Sequence, residues 1–172
     1  MTQDEIAAIH LYTQATPFYG ILNSRLRNAD RKLLVAFFPY LKLLLKALYK
    51  LPTIETIVYR GINKNLTNEY TKSKKVIWWG FSSTSGNVEV LETPTSFDQN
   101  EERTMFHIKT KTGIEINEYS AFPQEKEILL LPGTPLEIEG VLSAGPGLWI
   151  IQAKEMPLAG VMDFVRPSPN QS

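Results

Sequence analysis

The chain changes its periodicity at Pro52, and that change limits what it can fold into. Upstream, the apolar residues recur at helical spacing and the start signals of helices are present. Thr2-Gln-Asp-Glu5 reads as a capping box that opens a short helix through about Thr13. Thr16-Pro17 is a second start, and a third helix begins after Asp30, breaks near Pro39 and is followed by another running to Leu51-Pro52. Downstream, short β-branched or alternating runs bounded by Gly and Pro predict strands at residues 54–59, 76–79, 104–109, 114–116, 128–131, 136–138 and 149–154. Most of them have no helical pattern in between, so antiparallel or mixed pairing is expected rather than a doubly wound sheet. The expectation is one α+β domain over residues 1–166, helical through 52 and β-rich over 53–156, with a disordered tail at 167–172.

One stretch, residues 33–51, is apolar enough to raise the question of a membrane. It contains Pro39, and Lys42, Lys46 and Lys50 recur every four residues, which marks an amphipathic helix whose Leu41, Leu44, Leu45 and Leu48 side is buried. The amino terminus, Met1-Thr-Gln-Asp-Glu-Ile6, lacks the basic start and apolar run of a signal peptide. Lys plus Arg and Asp plus Glu both number 18, so no net field draws the chain to nucleic acid. The basic clusters at Arg25, Arg27, Arg31 and Lys32 and at Lys72, Lys74 and Lys75 read as solvated faces. Cysteine is absent, which removes disulfides and thiol nucleophiles and is compatible with the cytoplasm. His10 and His107 are the only histidines, so no metal site is expected, and both read as packed or surface residues.

Three segments at strand ends carry chemistry. Val58-Tyr-Arg60-Gly61 puts an arginine and a glycine after an apolar run, and Gly80-Phe-Ser-Ser83-Thr84-Ser85 puts a hydroxyl cluster after another. Phe122-Pro-Gln-Glu125-Lys-Glu127 sets two carboxylates one residue apart where a turn meets the Leu-rich run at 128–131. In extended chain, residues i and i+2 share a face, so both acids should point one way. Taken singly, each segment has an ordinary reading as a surface cation, a turn and a charged loop.

In this order the three resemble the signature of the arginine-specific mono-ADP-ribosyltransferases: Arg, then Ser-Thr-Ser, then Glu-x-Glu. Glu5-Ile-Ala-Ala-Ile-His-Leu-Tyr-Thr13 and Ala47-Leu-Tyr-Lys-Leu-Pro52 resemble the family's helical portion, and the likeness covers roughly residues 4–156. It implies helices packed on two small, mainly antiparallel or mixed sheets around an NAD cleft. It also implies transfer of ADP-ribose from NAD, a consumed substrate, to arginine side chains of a protein, with nicotinamide leaving and no metal required. Under it, Glu127 stabilises the developing positive charge at the ribose, and Glu125 engages the acceptor guanidinium and helps remove its proton. Arg60 binds the NAD phosphates, the Gly61 backbone holds the nicotinamide amide, and Ser83 orients Glu127. Thr84 and Ser85 shape the turn beneath, Phe122 contacts the acceptor, and Phe97 stacks on nicotinamide. Lys126, between the acids, should favour their ionised forms. No Gly-x-Gly-x-x-Gly or phosphate-loop lysine motif is present. The competing functions are an NAD glycohydrolase, for which Glu125 matters less, and an inactive protein-binding module. A toxin or effector role is a third possibility, and the chain is taken as a monomer.

Overall fold

A computed structural model of the chain describes residues 1–89 and 102–157. The expected disordered tail and Phe97 lie outside the described residues.

The helical layer begins as the capping box requires. In α1 (Gln3–Thr13), Glu5 N–H donates to Thr2 Oγ1 at 3.3 Å and Thr2 N–H donates to Glu5 Oε2 at 2.7 Å. α2 (Phe18–Arg27) starts one residue later than expected, with Pro17 at the cap and Thr16 Oγ1 accepting from Phe18 N–H at 3.4 Å. The third helical segment is a 3-10 helix, Arg31–Phe37, capped by Asp30, and α3 (Phe38–Leu48) follows directly. Pro39 directly follows the expected break, which falls between Phe37 and Phe38. It sits in the first turn of α3, where its missing N–H has no intrahelical partner to lose. Leu41, Leu44 and Leu48 are buried, and Leu45 is half-buried. Lys50 donates to both oxygens of the buried Glu5 at 2.7 and 2.8 Å, and Lys46 stands 3.6 Å away, so the two lysines tie α3 to the start of α1. Among the described residues, no helix is long and apolar enough to cross a membrane.

The strands are β1 (Thr53–Ile62), β2 (Lys75–Trp78), β3 (Ser82–Ser85), β4 (Arg103–Glu115), β5 (Glu127–Leu130), β6 (Thr134–Gly145) and β7 (Leu148–Glu155). Their order is β1-β3-β5-β4-β7-β6-β2, with β1 also pairing β4. All pairings are antiparallel except β4 with β7. The two expected sheets are thus continuous, because β4 pairs with β1 along one edge and with β7 and β5 along the other. β4 also joins two runs that the sequence separates. Its polar middle stays extended because Glu155 accepts from the Thr110 and Thr112 hydroxyls and from the Lys111 and Thr112 N–H groups.

β5 is buried at every residue, between two cores. Leu129 joins Ile9, Leu22, Leu44, Leu48 and Phe81 on the helical side. Ile128 and Leu130 join Val58, Phe106, Ile108 and Ile151 on the other. Alternation along the strand then puts Glu127, like Leu129, on the side that meets the helices.

Candidate active site

Glu127 is 7% exposed at the start of β5, directly opposite Ser85, while Ser83 pairs with Leu129. Ser83 and Ser85 share the Glu127 face, and the Ser83 hydroxyl is hydrogen-bonded to the Glu127 carboxylate. Burial pushes the Glu127 carboxyl above the ordinary carboxylate range; the Ser83 bond opposes this, nearby Glu125 adds to it, and Arg60 opposes it. Lys126 has no part in that balance, so the expectation that it favours ionisation does not hold for Glu127. Thr84 faces away and donates from Oγ1 to the Ile128 carbonyl at 2.5 Å, which locks β3 to β5. Ser85 Oγ accepts from Asn87 N–H at 3.1 Å and shapes the turn that follows.

The relation between the two acids differs from the sequence reading. Glu125 ends a 3-10 turn, Pro123–Glu125, and Lys126 is left-handed with φ 47°. Strand alternation therefore does not align the carboxylates; the turn brings the exposed Glu125 within electrostatic reach of Glu127. The turn is closed internally and anchored at its start. Glu125 N–H donates to the Phe122 carbonyl at 3.1 Å, Phe122 N–H donates to Ser120 Oγ at 3.0 Å, and Ala121 N–H donates to Thr13 Oγ1 of α1 at 2.8 Å. Phe122 is half-buried at the turn's start.

Arg60, near the end of β1, donates from Nη1 to the Ser83 carbonyl at 2.8 Å. Gly61 is half-buried and pairs with Met105 of β4. Burial lowers the Arg60 pKa below its usual value; Tyr12, Tyr70 and Glu127 pull it back up and Arg27 pushes it down.

Four of these neighbours were not singled out as site residues from the sequence. Tyr12 lies in the buried stripe of α1, and its hydroxyl accepts from Asn23 Nδ2 at 3.0 Å. Asn23 Oδ1 in turn accepts from Phe81 N–H at 2.8 Å, so one amide links α1, α2 and the approach to β3. Burial raises the Tyr12 hydroxyl to about 12, and it stays a neutral phenol near both Arg60 and Glu127. In the sequence Arg27 reads as part of a solvated cluster, and Tyr70 falls in no motif. The available signal is the pair Tyr12 and Asn23, polar-tipped residues beside the apolar Ala8 and Ile9 of α1 and Leu22 and Leu26 of α2. His10 is exposed on α1, and His107 stacks on Tyr59 with ring centroids 5.1 Å apart; neither reaches the site.

A separate groove of about 880 Å³ shares no lining residue with this site. Its lysines and glutamates neutralise each other: Lys109 stands 3.4 Å from Glu139, and Lys154 stands 3.7 Å from both Glu137 and Glu139. Chemistry is better served at Glu127, where a carboxylate is held out of water beside a cation.

The fold is that of ADP-ribosyltransferases. The Vibrio splendidus transferase Vis, solved with agmatine, superposes with a TM-score of 0.73 at 24% identity over 93% of this chain and 77% of that one. HopU1 of Pseudomonas syringae pv. tomato gives 0.73 at 22% identity over 89% and 77%. The Salmonella SpvB domain gives 0.69 at 19% identity over 91% and 100%. The chain itself belongs to the NAD:arginine ADP-ribosyltransferase family, whose profile matches residues 1–155. It is 34% identical over 136 residues to Mav of Mycobacterium avium (strain 104), a protein provisionally named an NAD(+)–arginine ADP-ribosyltransferase. It is 37% identical over 78 residues to the T-cell ecto-ADP-ribosyltransferase 2 of Mus musculus. These matches cover 78% and 45% of this chain but span only 16% and 25% of the length of those two relatives.

Proposed function

We propose that the chain is a mono-ADP-ribosyltransferase that moves ADP-ribose from NAD to arginine side chains of a protein, with residues 1–166 as one catalytic domain. The observation that carries this reading is the buried Glu127 carboxylate, hydrogen-bonded by Ser83 and facing Arg60. As the bond between ribose C1′ and the nicotinamide nitrogen breaks, positive charge develops on the ribose as in glycoside cleavage. A carboxylate fixed in a water-poor site stabilises that charge more than it would in bulk solvent. Nicotinamide leaves neutral. The acceptor guanidinium nitrogen bonds to C1′ and gives up a proton, for which exposed Glu125 is the base. A guanidinium also matches a carboxylate fork, which favours arginine as acceptor.

Arg60, with Arg27 beside it, takes the diphosphate. The Gly61 main chain holds the nicotinamide amide, and Phe122 contacts the acceptor from the start of the turn. Phe97 remains assigned to nicotinamide by family likeness alone. No step in this mechanism needs a metal, and the chain acts as a monomer on a protein rather than on nucleic acid.

The test incubates the purified chain with NAD and agmatine and follows free nicotinamide and ADP-ribosyl-agmatine together. The expected result is adduct forming in step with nicotinamide. Nicotinamide without adduct identifies a glycohydrolase, or another acceptor, and overturns the arginine assignment. Neither product from a folded sample overturns the enzymatic reading and leaves a binding module.

A further inference from the structure

The basic cluster at the end of α2 is not only a solvated face. Gly80, which follows Trp79, lies so close to α2 that a Cβ there would stand 3.1 Å from Arg27 Nη1 and 3.1 Å from Asn23 Oδ1. Arg27 is thereby held beside the chain leading into β3, within electrostatic reach of Arg60. One residue back, the Trp79 ring is 45% exposed, and the Arg31 guanidinium carbon lies 5.3 Å from its centroid. Arg31 is held there by its own bond, from Nη1 to the Leu26 carbonyl at 2.9 Å. Among the described residues, neither Arg27 nor Arg60 is ion-paired with a carboxylate. Two like charges side by side are tolerated best when an anion lies between them.

These groups are linked pairwise: Glu127 to Arg60, Arg60 to Arg27, Arg27 to Gly80, and Gly80 through the chain to Trp79 with Arg31. A dinucleotide presents the same order: reacting ribose, two phosphates, adenosine. Tyr12, which accepts from Asn23 and packs on Tyr19 and Phe81, and the pair Trp78 and Tyr70 are already engaged. Trp78 Nε1 donates to Tyr70 Oη at 3.1 Å, and both rings pack edge-on against Phe106. Trp79 keeps 45% of its surface exposed, with Arg31 as its ring partner.

We propose that Trp79, steadied by Arg31, is the platform on which the adenosine half of NAD rests. The inference builds on the NAD reading above and gives that site its far end. Base stacking on an aromatic side chain, and the cation beside it, supply the attraction.

The test is calorimetric titration of the whole chain and of Trp79→Ala, Trp79→Phe and Arg31→Ala with NAD, ADP and nicotinamide mononucleotide. Circular dichroism confirms that each variant is folded. Trp79→Ala is expected to weaken ADP and NAD by roughly tenfold or more, the loss of one stacked base. Nicotinamide mononucleotide should be unaffected, Trp79→Phe should keep most of the affinity, and Arg31→Ala should fall in between. Turnover at saturating NAD should stay near the original value while KM rises. Unchanged ADP affinity in Trp79→Ala, or an equal loss for nicotinamide mononucleotide, overturns the platform alone. A wild-type chain that binds none of the three ligands overturns the NAD reading as well.

Discussion

Arg60 Nη1 donates to the Ser83 carbonyl at 2.8 Å, while the Ser83 hydroxyl bonds to Glu127. One residue thus holds the cation through its main chain and the carboxylate through its side chain. Arg60→Lys removes the planar fork that can hold Ser83 and a phosphate together. The expected result is a fall in kcat/KM for NAD of about tenfold to a hundredfold, the range for one hydrogen bond to a charged group. Steady-state kinetics with NAD varied at fixed agmatine checks it, and unchanged kcat/KM would show that the bond has no role.

The two acids should separate by reaction. Glu127→Gln is expected to lower both nicotinamide release and arginine modification by roughly a hundredfold or more. Glu125→Gln should abolish arginine modification and spare NAD cleavage. Equal loss of both activities in Glu125→Gln would refute the division.

Glu127 also sets a pH dependence with a definite sign. Its carboxyl ionises above the ordinary value of 4.5, chiefly because it is buried, so NAD cleavage should rise with pH through a limb above that value. Glu125→Gln removes a neighbouring negative charge and should move the limb down. Ser83→Ala removes a donor to the ionised form and should move it up. The raised folded pKa further means that Glu127 costs stability once pH passes the unfolded value and rises through the folded one. Glu127→Gln is therefore expected to raise Tm at pH 7 and to do little near pH 4. A pH series of kcat/KM and of thermal melts decides both; limbs that do not move in opposite directions sink the electrostatic account.

Glu5 carries the opposite sign. Lys50, and then the Thr2 N–H, hold its carboxyl down to about 2, with burial opposing them. Its contribution to stability is complete above 4.5 and is lost as pH falls from 4.5 toward 2. Glu5→Gln should lower the urea midpoint at pH 7, and the gap from wild type should close across that acid window. Parallel curves down to pH 2 would show that the α1–α3 tie is not electrostatic.

Much of this arrangement is legible in the sequence, and the misses have physical causes. The capping box, the helical front and the β-rich back follow from local signals. Ser82–Ser85 reads as a turn because all its side chains are hydroxyls, yet pairing with β5 makes it a strand. β4 reads as two strands because its middle is polar, and the acid that satisfies it comes from β7, far along the chain. Arg60, Ser83, Glu125 and Glu127 stand out because they fall in short motifs. Tyr12, Asn23 and Arg27 sit beside them through the packing of helix on sheet; the polar tips of Tyr12 and Asn23 on buried helix positions mark two of the three, and no local pattern marks Arg27.

Gly113 in β4 shows how closely the strands beneath the site are packed. A Cβ there would stand 2.8 Å from Ile128 Cγ2 and 3.1 Å from Thr110 Cγ2. Ile128 is 4% exposed and is bonded in the chain to Glu127, so it cannot yield without shifting the carboxylate. Alanine suits a strand better than glycine does, and on that ground alone Gly113→Ala should stabilise. The clash is expected to win, at about 1–3 kcal/mol of destabilisation, the usual cost of overpacking. Activity should fall further than stability accounts for, because Glu127 moves. Ile128→Ala deletes the obstructing methyl at its own cost of roughly 2–5 kcal/mol. In the double variant, Gly113→Ala should then cost much less than it does alone, a coupling that urea unfolding of all four proteins measures. Strict additivity would place the constraint on Gly113 somewhere other than at Ile128.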